Sequence, residues 1–249
     1  MSRRTRIGWP LTLALLAGSA GSGPLTGPVS VAAQAGGQAE RAPAQAPAPA
    51  TRPALLFREA WTRSLAAAGQ PTSPHRSANQ YVLANQMAVS APNLQLTLYG
   101  EKARDLTVYE HEGRIDLWTG LVGSPIAVTL KDRANYLDLT GLARLRAIVR
   151  TSNLHALHPV VKLADGTLAV GSQRIDTGGA FLSVEVAYDN QRWFVLDPTE
   201  VSVGRTLENP DLSRVDELGF VNLAPSGGHG NSGWANISTV EVFATATKR

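Results

Sequence analysis

An all-β, two-sheet sandwich is the fold this sequence predicts, and three observations predict it. Short runs alternate apolar and polar residues, Gly, Pro, Asn and Asp separate them, and helical periodicity is nearly absent. Leu94-Gln95-Leu96-Thr97-Leu98-Tyr99 and Ile126-Ala127-Val128-Thr129-Leu130 each bury one face. Asp165-Gly166, between Val160-Val161-Lys162-Leu163 and Leu168-Ala169-Val170, marks a hairpin. Two antiparallel sheets of about four or five strands each would use the available segments.

In chain order, the first expectation is an export signal over residues 1–35. Arg3, Arg4 and Arg6 precede the apolar run Leu11–Ala17, and Ala33-Gln34-Ala35 fits a small-x-small cleavage site. The run is shorter than the ~20 residues that span a bilayer, so the mature form carries no transmembrane segment from it. Arg6 stands where a twin-arginine signal wants an apolar residue, which favours the general secretory route. A Pro/Ala-rich linker over 36–54 has too little to bury and reads as a disordered spacer. The mature protein is expected outside the cytoplasm, secreted or periplasmic.

The net charge of +3 belongs to the leader. Without those three arginines, 20 Lys and Arg of the 23 stand against 20 Asp and Glu, so no basic balance points to nucleic acid. There is no cysteine, which excludes disulfides and thiolate metal sites.

A single domain is expected over 55–249. Leu55 to Trp61 opens it as a strand or short helix, and 66–80 reads as loop. Leu145 to Arg150 is a strand with Leu145, Ala147 and Val149 on one face and Arg146, Ile148 and Arg150 on the other. Phe181–Val186, Arg192–Leu196, Leu218–Leu223 and Val240–Phe243 complete the strand set, and Asp211–Val215 is at most one helical turn.

Two segments then carry a resemblance. Asn209-Pro210-Asp211-Leu212-Ser213-Arg214-Val215-Asp216-Glu217-Leu218-Gly219-Phe220 is followed by the Gly-rich loop 227–230 and by Ile237-Ser238-Thr239-Val240-Glu241-Val242-Phe243. Over Leu94 to Phe243 the chain resembles the galactose-binding-like jelly roll, above all family-eleven carbohydrate-binding modules and the complex I intermediate-associated protein domain. The resemblance implies a non-catalytic binding domain facing a glycan, or a cell-envelope or protein partner. It also implies a structural calcium near the chain ends, with Glu241 of the last strand as ligand and Glu59 as its partner.

The residues themselves suggest where a glycan would sit. Sugar sites pair flat aromatics with hydroxyl-bonding side chains. Trp118 and Trp234 flank turns, whereas Trp193 lies within a buried-looking run. Arg146 and Arg150 share a strand face that leads towards His155 and His158. These six residues form the expected ligand-binding set. Pro159 argues against the helix on which His155 and His158 would share a zinc ion. A protein-interaction or assembly domain is the alternative, and a polysaccharide-active enzyme the third class. No Gly-x-Ser-x-Gly, His-Glu-x-x-His or P-loop motif is present. Adjacent Asp216 and Glu217 are expected to face opposite ways and so not to form a hydrolytic pair.

Overall fold

Period-two alternation builds the sheets. The structure, a computed structural model, describes residues 51–62, 81–111, 113–152, 155–225 and 233–249. The chain divides into two units, Met1–Pro47 and Ala48–Arg249. The expected export signal and residues 36–50 of the linker lie outside the described residues, as do the expected loop 66–80 and the Gly-rich loop 227–230.

Sixteen strands form among the described residues: β1 (Leu55–Glu59), β2 (Tyr81–Leu83), β3 (Leu94–Tyr99), β4 (Thr107–His111), β5 (Arg114–Trp118), β6 (Ile126–Asp132), β7 (Asn135–Asp138), β8 (Arg144–Thr151), β9 (Leu157–Leu163), β10 (Leu168–Gly171), β11 (Leu182–Ala187), β12 (Trp193–Leu196), β13 (Val203–Leu207), β14 (Val215–Asn222), β15 (Ala235–Phe243) and β16 (Thr245–Lys248). They form two antiparallel sheets, a jelly-roll sandwich. The first has seven strands in the order β11-β8-β15-β5-β4-β2, with β1 also on β15. The second has nine, in the order β13-β12-β10-β9-β14-β6-β3, with β7 on β14 and β16 on β7. The fold class is the expected one, but the sheets are wider than four or five strands. Short strands such as β2, β7 and β16 have too few alternating positions to show in a sequence.

The core lies between the sheets. Val149, Leu145, Ala147 and Val242 of the first sheet meet Leu218, Phe220, Val161 and Leu130 of the second. Burying an aliphatic side chain of this size contributes about 1.5–3 kcal/mol. A second apolar cluster covers the other face of the nine-stranded sheet. It holds Ala127, Val160, Leu168, Val170, Leu196, Val201 and Val221, the residues that alternate with the core positions. The β12–β13 turn lies over this cluster, with Val201 only 1% exposed and Pro198 O accepting from Gly100 N at 3.2 Å. The β9–β10 turn is the expected one: Gly166 adopts φ 91°, a region that favours glycine.

Sheet registers place the polar groups. Arg58 pairs with Glu241 and Glu59 with Val240 across β1 and β15. Consecutive side chains point to opposite faces, so Glu59 turns into the interior and Glu241 turns out. In β14 a register shift between Val215 and Glu217 breaks the alternation. Asp216 and Glu217 therefore both reach outward-facing partners of β6: Lys131 Nζ donates to Asp216 at 3.0 Å and Thr129 Oγ1 to Glu217 at 2.5 Å. The expectation that these neighbours face opposite ways is corrected by that bulge.

Candidate functional site

The outer face of the seven-stranded sheet is built by β8. Leu145, Ala147 and Val149 are buried, which leaves Arg146, Ile148 and Arg150 on the outer side, as the alternation predicts. A charged row crosses four strands in register: Arg58, Glu241, Arg146 and Glu185. Arg146 Nε donates to Glu241 at 2.7 Å and Arg144 Nη1 donates to Glu185 at 3.1 Å. Pairs this exposed are worth about 0–1 kcal/mol each. A cleft of about 210 Å3 runs beside the row, lined by Arg146, Ile148, Ser183, Thr239 and Glu241.

Further along the face the composition changes. Arg150 pairs in register with Asn236, which also pairs with Trp118. The Arg150 guanidinium lies 5.6 Å from the ring centres of both Phe181 and Trp234. Arg114 lies 4.2 Å over the other contact of that ring set, Phe181. Phe181, Arg150 and Trp234 are half-buried and Arg114 is exposed, so their edges are open to solvent. Each guanidinium–ring contact contributes about 0.5–1 kcal/mol at an exposed site. Beneath them, Arg150 Nε and Asn236 Oδ1 are buried without a hydrogen-bond partner among the described residues. An orphaned buried polar atom costs about 1–3 kcal/mol, so each one in a native structure calls for an explanation. Asp116 is buried below, its Oδ2 accepting from Asn236 Nδ2 at 3.5 Å.

The six expected ligand-binding residues do not come together as one set. Arg146, Arg150 and Trp234 lie on the outer face just described. Trp118 is on it too but is only 7% exposed. It packs over Gly120, where an added Cβ would lie 2.0 Å from the indole, so its ring face is closed. His155 is buried at the end of the sandwich. Asn222 Nδ2 donates to its Nδ1 at 3.0 Å and to Thr119 Oγ1 at 3.1 Å. Asn222 thus pins β14 of one sheet to the segment after β5 of the other, and His155 is its second acceptor. His158 belongs to β9 of the nine-stranded sheet. Burial holds it below the ordinary imidazole value of 6.5. Strands β8 and β9 are consecutive in sequence but lie in different sheets, which is why the two Arg and the two His separate. Arg114 and Phe181 were not among the expected residues. Their only sequence signal is position: Arg114 alternates with Asp116 and Trp118, and Phe181 immediately precedes β11.

The calcium pair also separates. Glu241 is held by Arg146 and Arg58 on the outer face. Glu59 is fully buried and accepts from the backbone N–H groups of Ala60, Trp61, Ser90 and Ala91 and from Ser90 Oγ. Those donors occupy the oxygens a cation would need. Among the described residues no group of three or more His, Asp or Glu side chains is arranged to hold a metal ion.

On the outer side of the nine-stranded sheet a polar cluster surrounds Glu217, itself 3% exposed. Tyr99 OH donates to it at 2.9 Å and Lys162 Nζ at 3.2 Å. Burial first, and the Glu217 charge second, push the Tyr99 phenol up to about 12. Burial disfavours the Lys162 charge, but its bonds to Tyr99 and Glu217 outweigh this and raise it. Every donor here is already aimed at a protein acceptor, so the cluster reads as a cross-strand lock.

No family model and no curated protein matches the sequence. Solved structures do show similarity. PfGH50B overlaps with TM-score 0.35 at 10% identity, over 64% of this chain and 23% of that one. An exo-β-agarase overlaps with TM-score 0.36 at 11% identity, over 69% and 25%. The Emp47p carbohydrate recognition domain overlaps with TM-score 0.33 at 13% identity, over 68% and 99%. The chain thus spans about a quarter of the first two. Among the described residues no helix is long and apolar enough to cross a membrane.

Proposed function

We propose that the domain is a non-catalytic carbohydrate-binding module of the galactose-binding-like jelly-roll kind, and that the Arg150 end of the seven-stranded sheet is its glycan-facing surface. The observation that carries this reading is the Arg150 guanidinium within 5.6 Å of the ring centres of both Phe181 and Trp234, all three half-buried. A pyranose offers an apolar face for such a ring and hydroxyls for such a fork. The reading includes export through residues 1–35, so that N-terminal sequencing of the secreted or periplasmic form should begin near Gly36.

One stacked ring and a few charge-assisted hydrogen bonds give weak binding, micromolar to millimolar, on the order of −8 to −4 kcal/mol. Affinity electrophoresis of the full chain through gels containing β-glucan, xylan or pectin tests it. Retardation by at least one glycan is expected, with loss of about tenfold in affinity on Trp234→Ala, the ~1.5 kcal/mol of one aromatic contact. If no glycan retards the protein, the glycan reading fails. The edge strand β11, with Leu182 48% exposed, then favours an interaction domain that accepts a partner strand.

A further inference from the structure

We infer that the glycan bound at this face is an acidic one, a polyuronate whose carboxylates are taken by Arg150 and Arg114; this rests on the glycan reading above and adds the charge of the ligand. The two ends of the face differ in how their arginines are balanced. At the row end, Arg58, Arg146, Arg144 and Arg52 share Glu241 and Glu185, and each reaches one of these carboxylates within 4 Å. At the other end, Arg150 and Arg114 have no ion-pair partner among the described residues. Their guanidinium groups lie over the same Phe181 ring, two like charges brought together with no carboxylate of the described residues in ion-pair contact with either. Asp116, the acidic side chain below, is fully buried and bonded to Asn236.

That arrangement is unfavourable for the free protein and favourable for an anion. Two guanidinium groups fixed against an aromatic plane have lost most of their rotamer freedom before any ligand arrives, so less entropy is spent on binding. The ring edges exclude part of the solvent and weaken the screening of a bound charge. A guanidinium fork matches a carboxylate in two parallel hydrogen bonds. At the row end Arg146 already holds a carboxylate of the protein, its Nε and Nη2 both reaching Glu241 Oε2. Arg146 and Arg150 stand four residues apart on one strand, about 13 Å. The cleft beside Ile148 opens at the Arg146 end of that span, and an extended chain running along β8 would meet the unpaired arginines at one end and the paired row at the other. A sugar polymer with a carboxylate on its ring supplies both groups this face asks for, an apolar ring face for Trp234 and an anion for Arg150. A neutral polymer supplies only the first, and an acidic peptide only the second.

Titration calorimetry of the full chain tests this with polygalacturonate, a neutral β-glucan and polyglutamate as probes. Polygalacturonate is expected to bind at least tenfold tighter than the β-glucan and than polyglutamate. Raising the salt from about 50 to 200 mM should weaken that binding several-fold, because the contacts lie near the surface. Arg150→Ala and Arg114→Ala should each weaken it about tenfold, with Arg150→Lys intermediate, while Arg205→Ala on the other sheet leaves it unchanged. Thermal melts confirm that each variant is folded. Binding of the β-glucan with equal affinity overturns the acidic-ligand inference and leaves the glycan reading standing. Equal binding of polyglutamate reduces the face to a charge patch and overturns it. Polygalacturonate bound undiminished by the folded Arg150→Ala and Arg114→Ala variants overturns it as well. Binding of none of the three overturns this inference and, with the gels above, the reading it rests on.

Discussion

Glu59 shows how one side chain can organise a junction. Its carboxylate gathers four backbone N–H groups and one hydroxyl from two segments, the end of β1 and the turn before β3. Trp61 follows at φ 46°, a left-handed conformation unfavourable for a bulky residue, and is anchored by Nε1 donating to Ile237 O at 2.9 Å. Glu59→Ala removes every acceptor at once and strands those donors in the interior. A loss of roughly 3 kcal/mol is expected by urea titration, with Glu59→Gln costing less because one carbonyl oxygen remains. None of this is legible in the sequence, where Glu59 is simply a charged residue near an aromatic. The outward placement of Arg146 and Arg150 is legible, because period two needs only local alternation. The neighbours of Arg150 are not. Phe181, Arg114 and Trp234 arrive from 31, 36 and 84 positions away, respectively.

At the scale of elements, β9 shows what alternation can and cannot give. Its outward positions are His158, Val160 and Lys162, and the Asp165-Gly166 turn to β10 forms as the dipeptide predicts. Gly166→Ala meets no atom within 4 Å, so its cost is conformational alone, about 1–2 kcal/mol for a left-handed alanine. A thermal melt should show the shift with the fold intact. His158 gives β9 a pH signature. Its folded value lies below 6.5 through burial, opposed by backbone bonds at Gly171 and Gln173 and helped by Arg174. The unfolded chain therefore binds the proton more readily, and stability rises with pH across that window. The stabilisation is fully present above 6.5 and is lost as pH falls through the folded value. Denaturation midpoints between about pH 5 and 7.5 should rise with pH, and His158→Gln should flatten the slope. Which sheet β9 joins is not written in its alternation. The β8–β9 connection crosses between sheets, and that crossing separates the histidines from the arginines. The bulge in β14 is equally silent, since it depends on pairing with β9 rather than on local composition.

Across the whole molecule, the ends of the chain complete the first sheet. Strand β15 lies between β8 on one side and β5 with β1 on the other, so the seven-stranded sheet lacks its middle until residues 235–243 arrive. Deleting 235–249 should abolish folding altogether, seen as loss of the cooperative transition in circular dichroism, whereas loss of a peripheral strand would lower the midpoint only. Pairings this distant in sequence also place refolding in the millisecond-to-second range expected of β-sandwiches.

The same pairing decides how the domain answers a pull. Strand β1 begins at Leu55, and Leu55 lies opposite Phe243, where β15 ends. Tension between the chain before Leu55 and the chain after Lys248 therefore acts on the same end of an antiparallel pair. It would first peel β16 from β7, starting at Lys248 and Asn135. It would then open β1 from β15 one hydrogen bond at a time, because ladder bonds lie across the strands and are loaded singly in that geometry. A zipper loaded this way yields at low force, while a load applied sideways through the Arg150 face is shared by the whole width of the sheet. A pull on the two ends of the domain would thus unravel β16 and β1 while the face that carries Arg150 stays intact.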